Sequence, residues 1–332
     1  MEHTAHQPDV QTESQKPPLV ILTGPTAVGK TSLSIRLAQR IGGEIISADS
    51  MQVYKDMDIG SAKIRPEEMD GVVHHLVDVI EPTEPFDVTR FQTMALEAMK
   101  KIRERGHIPI LVGGTGFYIQ AILYDIDFND QAQDDSLRRR LEQEALSLGA
   151  RAMHERLEKI DPESAEAIPE GNVKRVIRAL EYYELTGEKI SEHNKEQKAK
   201  QSPYNFACFV LTDERAKLYA AIDRRVDLMI EEGLVEEVKG LIEKGVRRTD
   251  TAMQGLGYRE IYDYLAGDTD LPEAVRLIKR NTRHFAKRQL TWFRPRPETI
   301  WLEKSEFHYD QDAILERMLE ILSRQGIIPG KG

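Results

Sequence analysis

Leu19-Val20-Ile21-Leu22-Thr23-Gly24-Pro25-Thr26-Ala27-Val28-Gly29-Lys30-Thr31 opens on an unbroken apolar, β-branched run and closes on G-x-x-x-x-G-K-[ST]. A short run without alternation reads as a strand buried on both faces. After the loop, Leu33, Leu37 and Ile41 recur at helical spacing until Gly42-Gly43 stops them. Strand, glycine-rich loop and helix in that order give the motif its meaning. The glycines let backbone N–H groups close around phosphate oxygens, and the new helix offers its positive end. Gly24, Pro25, Thr26, Ala27, Val28, Gly29, Lys30 and Thr31 are therefore assigned to a diphosphate. Lys30 supplies a point charge, and Thr31 can hold a magnesium ion, the one cofactor expected.

Outward from this stretch, Glu44–Ala48 reads as a second strand, Asp87–Arg105 as a helix ended by Gly106, and Ile108–Val112 as a third strand. Gly113-Gly114 and a helix through Tyr118, Ile122 and Leu123 follow. This alternation predicts an α/β fold, a P-loop NTPase-like parallel sheet flanked by helices. Between about residues 125 and 202 strand signals vanish. Helix-favouring sequence takes over at Leu137–Leu148, Ala152–Ile160 and Val173–Leu185, and a strand returns at Phe206–Leu211 before further long helices. The expected organisation is a polar, flexible lead-in over 1–17, a core formed by 18–124 and 203–325, and a helical insertion over 125–202.

No apolar run reaches the roughly 20 residues that span a bilayer, and the polar N-terminus does not read as a secretory signal. Cys208 is the single cysteine, which excludes an intramolecular disulfide and a cysteine-based zinc site and suits a reducing cytoplasm. The formal net charge of −10 argues mildly against nucleic acid. Yet between Glu273 and Arg296 eight basic residues face one acid, with Trp292 and Phe293 interleaved. That composition points to a phosphate-facing surface as well as to a solvated helix.

The loop recognises a diphosphate without naming what is attached to it, and a nucleoside triphosphate is the usual ligand. An NTPase next needs an apolar strand ending in an aspartate that holds magnesium. Ile108–Val112 ends instead in Gly113-Gly114-Thr115-Gly116, and Glu44–Ala48 leads into Asp49-Ser50-Met51-Gln52-Val53-Tyr54. Neither fits.

With Ile59-Gly60-Ser61-Ala62-Lys63, Gly113-Gly114-Thr115-Gly116-Phe117-Tyr118, Gly257-Tyr258-Arg259-Glu260 and Lys287-Arg288-Gln289-Leu290-Thr291-Trp292-Phe293-Arg294, these motifs resemble the tRNA dimethylallyltransferases. The resemblance runs from about Leu19 to Arg296. Ser61 and Val28 are small departures, and the zinc-finger extension of eukaryotic relatives is absent, so the chain looks like the bacterial form. The resemblance implies transfer of a dimethylallyl group from dimethylallyl diphosphate to the exocyclic amine of an adenosine beside the anticodon. A cytoplasmic monomer with no membrane partner is expected. The rival readings are an isopentenyltransferase acting on free adenine nucleotides, a small-molecule P-loop kinase and a non-catalytic RNA-binding protein.

Specific roles follow from the same resemblance. Asp49 takes the amine's proton, and Thr115 lies near both base and diphosphate. Ser50, Met51 and Gln52 contact the same nucleotide. Lys30 and Arg225 hold the leaving diphosphate, with Arg224 as the alternative clamp. A base buried in a folded loop has to be flipped out before reaction. Tyr54, Phe117 and Tyr118 are candidates for stacking on it or for the core. Arg138, Lys174, Arg175 and Arg178 in the insertion, together with Gln254, Gly257, Tyr258, Arg259, Lys287 and Arg288, match positions that meet the anticodon stem-loop.

Overall fold

The computed structural model describes residues 16–128 and 135–330. The expected lead-in lies outside the described residues up to residue 15. Contacts divide the chain into two compact units, Met1–Ile122 with Pro203–Gly332, and Leu123–Ser202.

The first unit is built on strands β1 (Pro18–Thr23), β2 (Gly43–Ser47), β3 (His74–His75), β4 (Ile108–Gly113), β5 (Asn205–Thr212) and β6 (Thr299–Glu303). They form one sheet in the order β3-β2-β4-β1-β5-β6, and every pairing is parallel. β1 lies mid-sheet, with Ile21 opposite Leu111 on one side and Cys208 on the other. Leu19 to Leu22 are all 0% exposed, which explains why the run has no polar alternate positions. Chain order reverses about β1, and in parallel sheets of this kind ligands usually bind outside the carboxyl ends of the strands at such a point.

The flanking helices are α1 (Lys30–Ile41), α2 (Val88–Glu104) and α3 (Gly116–Leu123). In α1, Leu33 and Leu37 turn inward, and Gly42 in the left-handed region (φ 62°) ends the helix. Asp87 starts α2 by accepting the N–H of Arg90. In the second unit follow α4 (Asp135–Ile160), α5 (Pro162–Ala167), α6 (Val173–Thr186) and α7 (Ile190–Ala199). The chain then returns to the first unit for α8 (Arg215–Glu231), α9 (Leu234–Glu243), α10 (Tyr258–Leu265), α11 (Leu271–Phe293) and α12 (Gln311–Arg324). One apolar cluster joins Val20 and Leu22 of β1 to Leu37, to Phe209 of β5 and to Met318 and Leu322 of α12.

Strands β3 and β6 were not expected. β3 is only His74-His75, and β6 follows Pro295-Arg296-Pro297 at the sheet edge with a short apolar run, Ile300-Trp301-Leu302, of which only Leu302 is buried.

The described residues of the second unit contain no strand. Leu141, Leu157, Val176 and Leu180 form its core. The two helices expected at 137–148 and 152–160 are both present within α4, separated at Gly149, which leaves helical geometry at φ 84°, ψ 163°. Asp161, 2% exposed, accepts the N–H groups of Ser164 and Ser191 and so ties the starts of α5 and α7 together.

Glu44 of β2 is a buried carboxylate in the first unit. It takes hydrogen bonds from Arg105 Nε (2.9 Å) and Nη2 (2.6 Å), and it lies 2.7 Å from ring nitrogens of His75 and His107. Arg105 foremost, and then the two histidines, hold its carboxyl down at about 2. A folded value below the unfolded one gives stability that is complete above the ordinary glutamate range and lost as pH falls toward the folded value. We expect Glu44→Gln to lower the urea midpoint at neutral pH. The gap from the parent should narrow as pH falls from about 5 toward about 2. Urea titrations at several pH values check this.

Candidate active site

The loop between β1 and α1 is shaped by close backbone contact. Gly24 has φ 141°, and a Cβ there would lie 2.2 Å from the carbonyl oxygen of Leu211 in β5. Only glycine fits. Gly29, at φ 99°, turns the chain into α1. Lys30 Nζ donates to the carbonyls of Gly24 (3.0 Å) and Pro25 (2.8 Å), so its ammonium lies against the loop's own backbone. Arg225, on α8, donates from Nη1 to Thr26 Oγ1 at 3.2 Å. Arg224, next to it, is exposed. Burial and then the Arg225 charge lower the Lys30 ammonium to about 8, with Asp49 opposing. Burial likewise lowers Arg225, again with Asp49 opposing. Two cations and one carboxylate therefore share one partly desolvated field.

Asp49 follows β2, and its Oδ1 accepts the N–H of Met51 (2.8 Å) and of Gln52 (3.4 Å). The residue thus holds its own turn, as an ordinary capping aspartate does. Among the described residues Oδ2 accepts no hydrogen bond, which leaves one carboxylate oxygen for another task. The neighbouring loop after β4 comes close. Thr115 N donates to Ala48 O at 3.3 Å, and a Cβ on Gly113 would lie 2.3 Å from that same oxygen. Thr115 also starts α3, its carbonyl accepting from Tyr118 and Ile119.

A residue that the sequence reading left without a role joins these loops. Gln289 of α11, 6% exposed, accepts the Thr26 N–H at Oε1 (3.1 Å) and donates from Nε2 to Gly114 O (3.0 Å). Gly114 has no room for a side chain, because a Cβ would lie 2.0 Å from Nε2. A signal was present: Gln289 shares the buried face of α11 with Ala286 and Phe293, where a polar side chain needs partners.

Of the remaining candidates, Ser50, Met51 and Gln52 lie part-exposed in the Asp49 turn. Lys287 and Arg288 are exposed on α11, Arg288 over the Phe285 ring. In the second unit Lys174 and Arg175 are exposed, while Arg138 and Arg178 both pair with Glu181. Gln254 is exposed, with Nε2 on Arg248 O, and Arg259 pairs with Glu260. Gly257 is buried at φ 91°. Tyr258 corrects the sequence reading. Its side chain is 0% exposed with its hydroxyl on Glu237, so it supports the site from within and offers no surface to RNA. Tyr54 and Tyr118 are core residues, Tyr118 stacked on Phe91 at 4.3 Å. Phe117 alone of those three is open, 43% exposed and edge-on to Trp292. Within the basic stretch, Arg276, Lys279 and Arg283 are ion-paired to Glu273, Asp227 and Asp223.

Among the described residues no group of three or more His, Cys, Asp or Glu side chains could hold a metal. A magnesium ion here would take most of its oxygens from a bound diphosphate, which is how this ion usually sits, and the exposed Thr31 hydroxyl beside Lys30 fits that arrangement. A cavity of about 620 Å³ beside the ends of β5 and β6 is lined by Asp213, Tyr219, Lys287 and Trp301, among others, and contains none of Lys30, Asp49, Thr115 or Arg225.

The family model described as IPP transferase matches residues 52–296. The chain belongs to the IPP transferase family. Within this family it is 57% identical over 311 residues to the tRNA dimethylallyltransferase of Lachnoclostridium phytofermentans, covering 94% of this chain and 99% of that one. It is 51% identical over 288 residues to the enzyme of the same name from Geobacillus thermodenitrificans, covering 87% and 91%. The crystal structure of the full-length tRNA isopentenylpyrophosphate transferase from Bacillus halodurans matches at TM-score 0.70 and 46% identity, over 94% of this chain and 98% of that one. A eukaryotic dimethylallyltransferase acting on tRNA matches at TM-score 0.81 and 30% identity, over 95% and 81%. The parallel sheet flanked by helices is thus the P-loop NTPase-like fold of IPP transferases. No described helix is long and apolar enough to cross a membrane.

The lowered Lys30 ammonium gives a pH prediction. As pH rises through about 8, a free enzyme loses that charge and with it part of its attraction for a diphosphate. Dimethylallyl diphosphate should bind more weakly at pH 9 than at pH 7, about tenfold at most, and Lys30→Arg should flatten the dependence. Calorimetric titrations across that range measure it.

Proposed function

We propose that this IPP transferase moves the dimethylallyl group of dimethylallyl diphosphate onto the exocyclic amine of the adenosine next to the anticodon in tRNA, acting as a monomer. The observation that carries the reading is the placing of two cations on the loop, Lys30 on the Gly24 and Pro25 carbonyls and Arg225 on Thr26, with the charge of Asp49 acting on both. The names of its relatives support the same substrates.

In this mechanism the loop N–H groups, Lys30 and Arg225 hold the diphosphate, and Thr31 would hold magnesium. Such an ion, when bound, neutralises charge on the phosphate oxygens. The amine of adenine is a weak nucleophile because its lone pair is delocalised into the ring. Asp49 Oδ2 accepts its proton as the new nitrogen–carbon bond forms and the carbon–oxygen bond to diphosphate breaks. The diphosphate leaves with the electron pair, its charge met by Lys30 and Arg225. Thr115 steadies base and diphosphate from the adjoining loop. Lys174, Arg175, Lys287 and Arg288 meet RNA phosphates and fix register, while contacts around the flipped base specify. Arg138 and Arg178 reach RNA only by sharing or leaving Glu181.

Labelled dimethylallyl diphosphate offered with an adenosine-bearing anticodon stem-loop tests the reading against free AMP and against ATP hydrolysis. Label should enter the stem-loop without ATP cleavage; stoichiometric ATP cleavage would restore a kinase. Asp49→Asn should slow single-turnover transfer by about 10²-fold or more while RNA affinity changes far less, because the amide cannot take the proton. Near-normal turnover in that variant would reduce Asp49 to a holder of its own turn. Neutralising Lys287 and Arg288 should weaken stem-loop binding and lower its salt slope by about one unit per lost phosphate contact. Filter binding at several salt concentrations would show an unchanged slope if that face only meets solvent.

A further inference from the structure

The segment Ile59-Gly60-Ser61-Ala62-Lys63 belongs to the signature motifs but has no task in the mechanism above. It adjoins the Asp49 turn. Gln52 Nε2 donates to Ser61 O (3.4 Å) and Ala62 O (3.3 Å), and Gln52 Oε1 accepts from Ser47 Oγ (3.1 Å). On the other side of the segment stands Glu237 of α9. Its Oε2 accepts the N–H groups of Asp58 (2.9 Å) and Ile59 (2.7 Å); its Oε1 accepts the Gly60 N–H (3.1 Å) and the Tyr258 hydroxyl (2.7 Å).

Successive backbone N–H groups converging on one point form a concavity for an anion. Here the anion is internal, and it has to be a carboxylate. Four donors need two accepting oxygens, and a glutamine would turn an N–H₂ toward two of them. The ring of Tyr258 closes the arrangement, since a Cβ on Gly60 would lie 2.5 Å from it. Lys63, its side chain 6% exposed, pins the far end of the segment by donating to Tyr54 O (2.7 Å) and pairing with Asp58 and Asp78. A second route leads to the same turn. Gly255, three residues before Tyr258, touches Met51, and a Cβ there would lie 2.7 Å from its sulfur.

We infer that Glu237 is a positioning residue for the transfer: by filling the nest of Asp58, Ile59 and Gly60 it fixes the Asp49–Gln52 turn from behind. It touches no substrate and acts through Gln52 and Met51. The inference rests on the reading that this turn receives the acceptor base.

Glu237→Gln and Tyr258→Phe in the full chain test it, with Asp49→Asn run alongside. At saturating donor and stem-loop, Glu237→Gln should slow single-turnover transfer by about tenfold or more, the scale of a small misplacement of reacting groups. The KM for dimethylallyl diphosphate should stay within about twofold, because the loop at 24–31 is held by other residues. Hydrogen exchange should quicken at amides 49–52 and 58–62 and stay unchanged at 24–31. Tyr258→Phe, which removes one of the four bonds and keeps the ring, should give a smaller loss in the same direction. The double variant should lose less than the product of the two. Unchanged turnover in Glu237→Gln beside an impaired Asp49→Asn overturns this inference alone. Full turnover in Asp49→Asn overturns the reading beneath it. A parallel loss of donor affinity and of protection at 24–31 makes Glu237 a general stabiliser of the fold and also overturns the inference.

Discussion

Lys30 and Arg225 are held against one loop, with Asp49 the carboxylate that answers both. Two cations brought together away from bulk water repel each other, and backbone carbonyls and one threonine hydroxyl only partly offset this. The surroundings fix several of the nearby backbone groups. Gly24 is pressed on Leu211, Thr26 is tied by Gln289, and the Asp49 turn is bound into itself. The site thus holds an excess of positive charge, which suits it to the diphosphate of the proposed reaction.

Helix α11 shows how one element serves two surfaces. Lys287 and Arg288 point outward, and the next residue, Gln289, points in and bonds both loops of the site. A single turn of helix therefore joins a face suited to phosphates with the backbone that sets the donor loop. Displacing this helix moves Thr26 and Gly114 together.

Much of this was legible in the sequence because it is local. The strand, loop and helix around Gly24–Thr31 lie within one short window, and apolar spacing marked β2, β4, β5 and their helices. What was illegible is what joins distant segments. Gln289 reaches Thr26 across 263 residues, and Glu237 reaches Ile59 across 178. No periodicity announces such pairs. Aromatic positions misled for a related reason: Tyr258 and Phe117 look alike as letters, yet one is wholly buried and the other open, and only packing decides which. β3 and β6 escaped notice because they are short edge strands, two and five residues long, whose pairing is set by a neighbour already in the sheet.

The order of synthesis gives the sheet a temporal consequence. β1 is made before the second unit, but its partner β5 follows only after it, at Asn205–Thr212. Until then one side of the central strand has no neighbour, and long-range parallel pairing of this kind is slow. Arg225 and Gln289 come later still. A nascent chain therefore carries the complete glycine-rich motif long before it has a site, with the edge of β1 open to mispairing or to a chaperone in the interval. The loop at 24–31 is made before the residues that tie and flank it, and it can meet them only after residue 289 has been added.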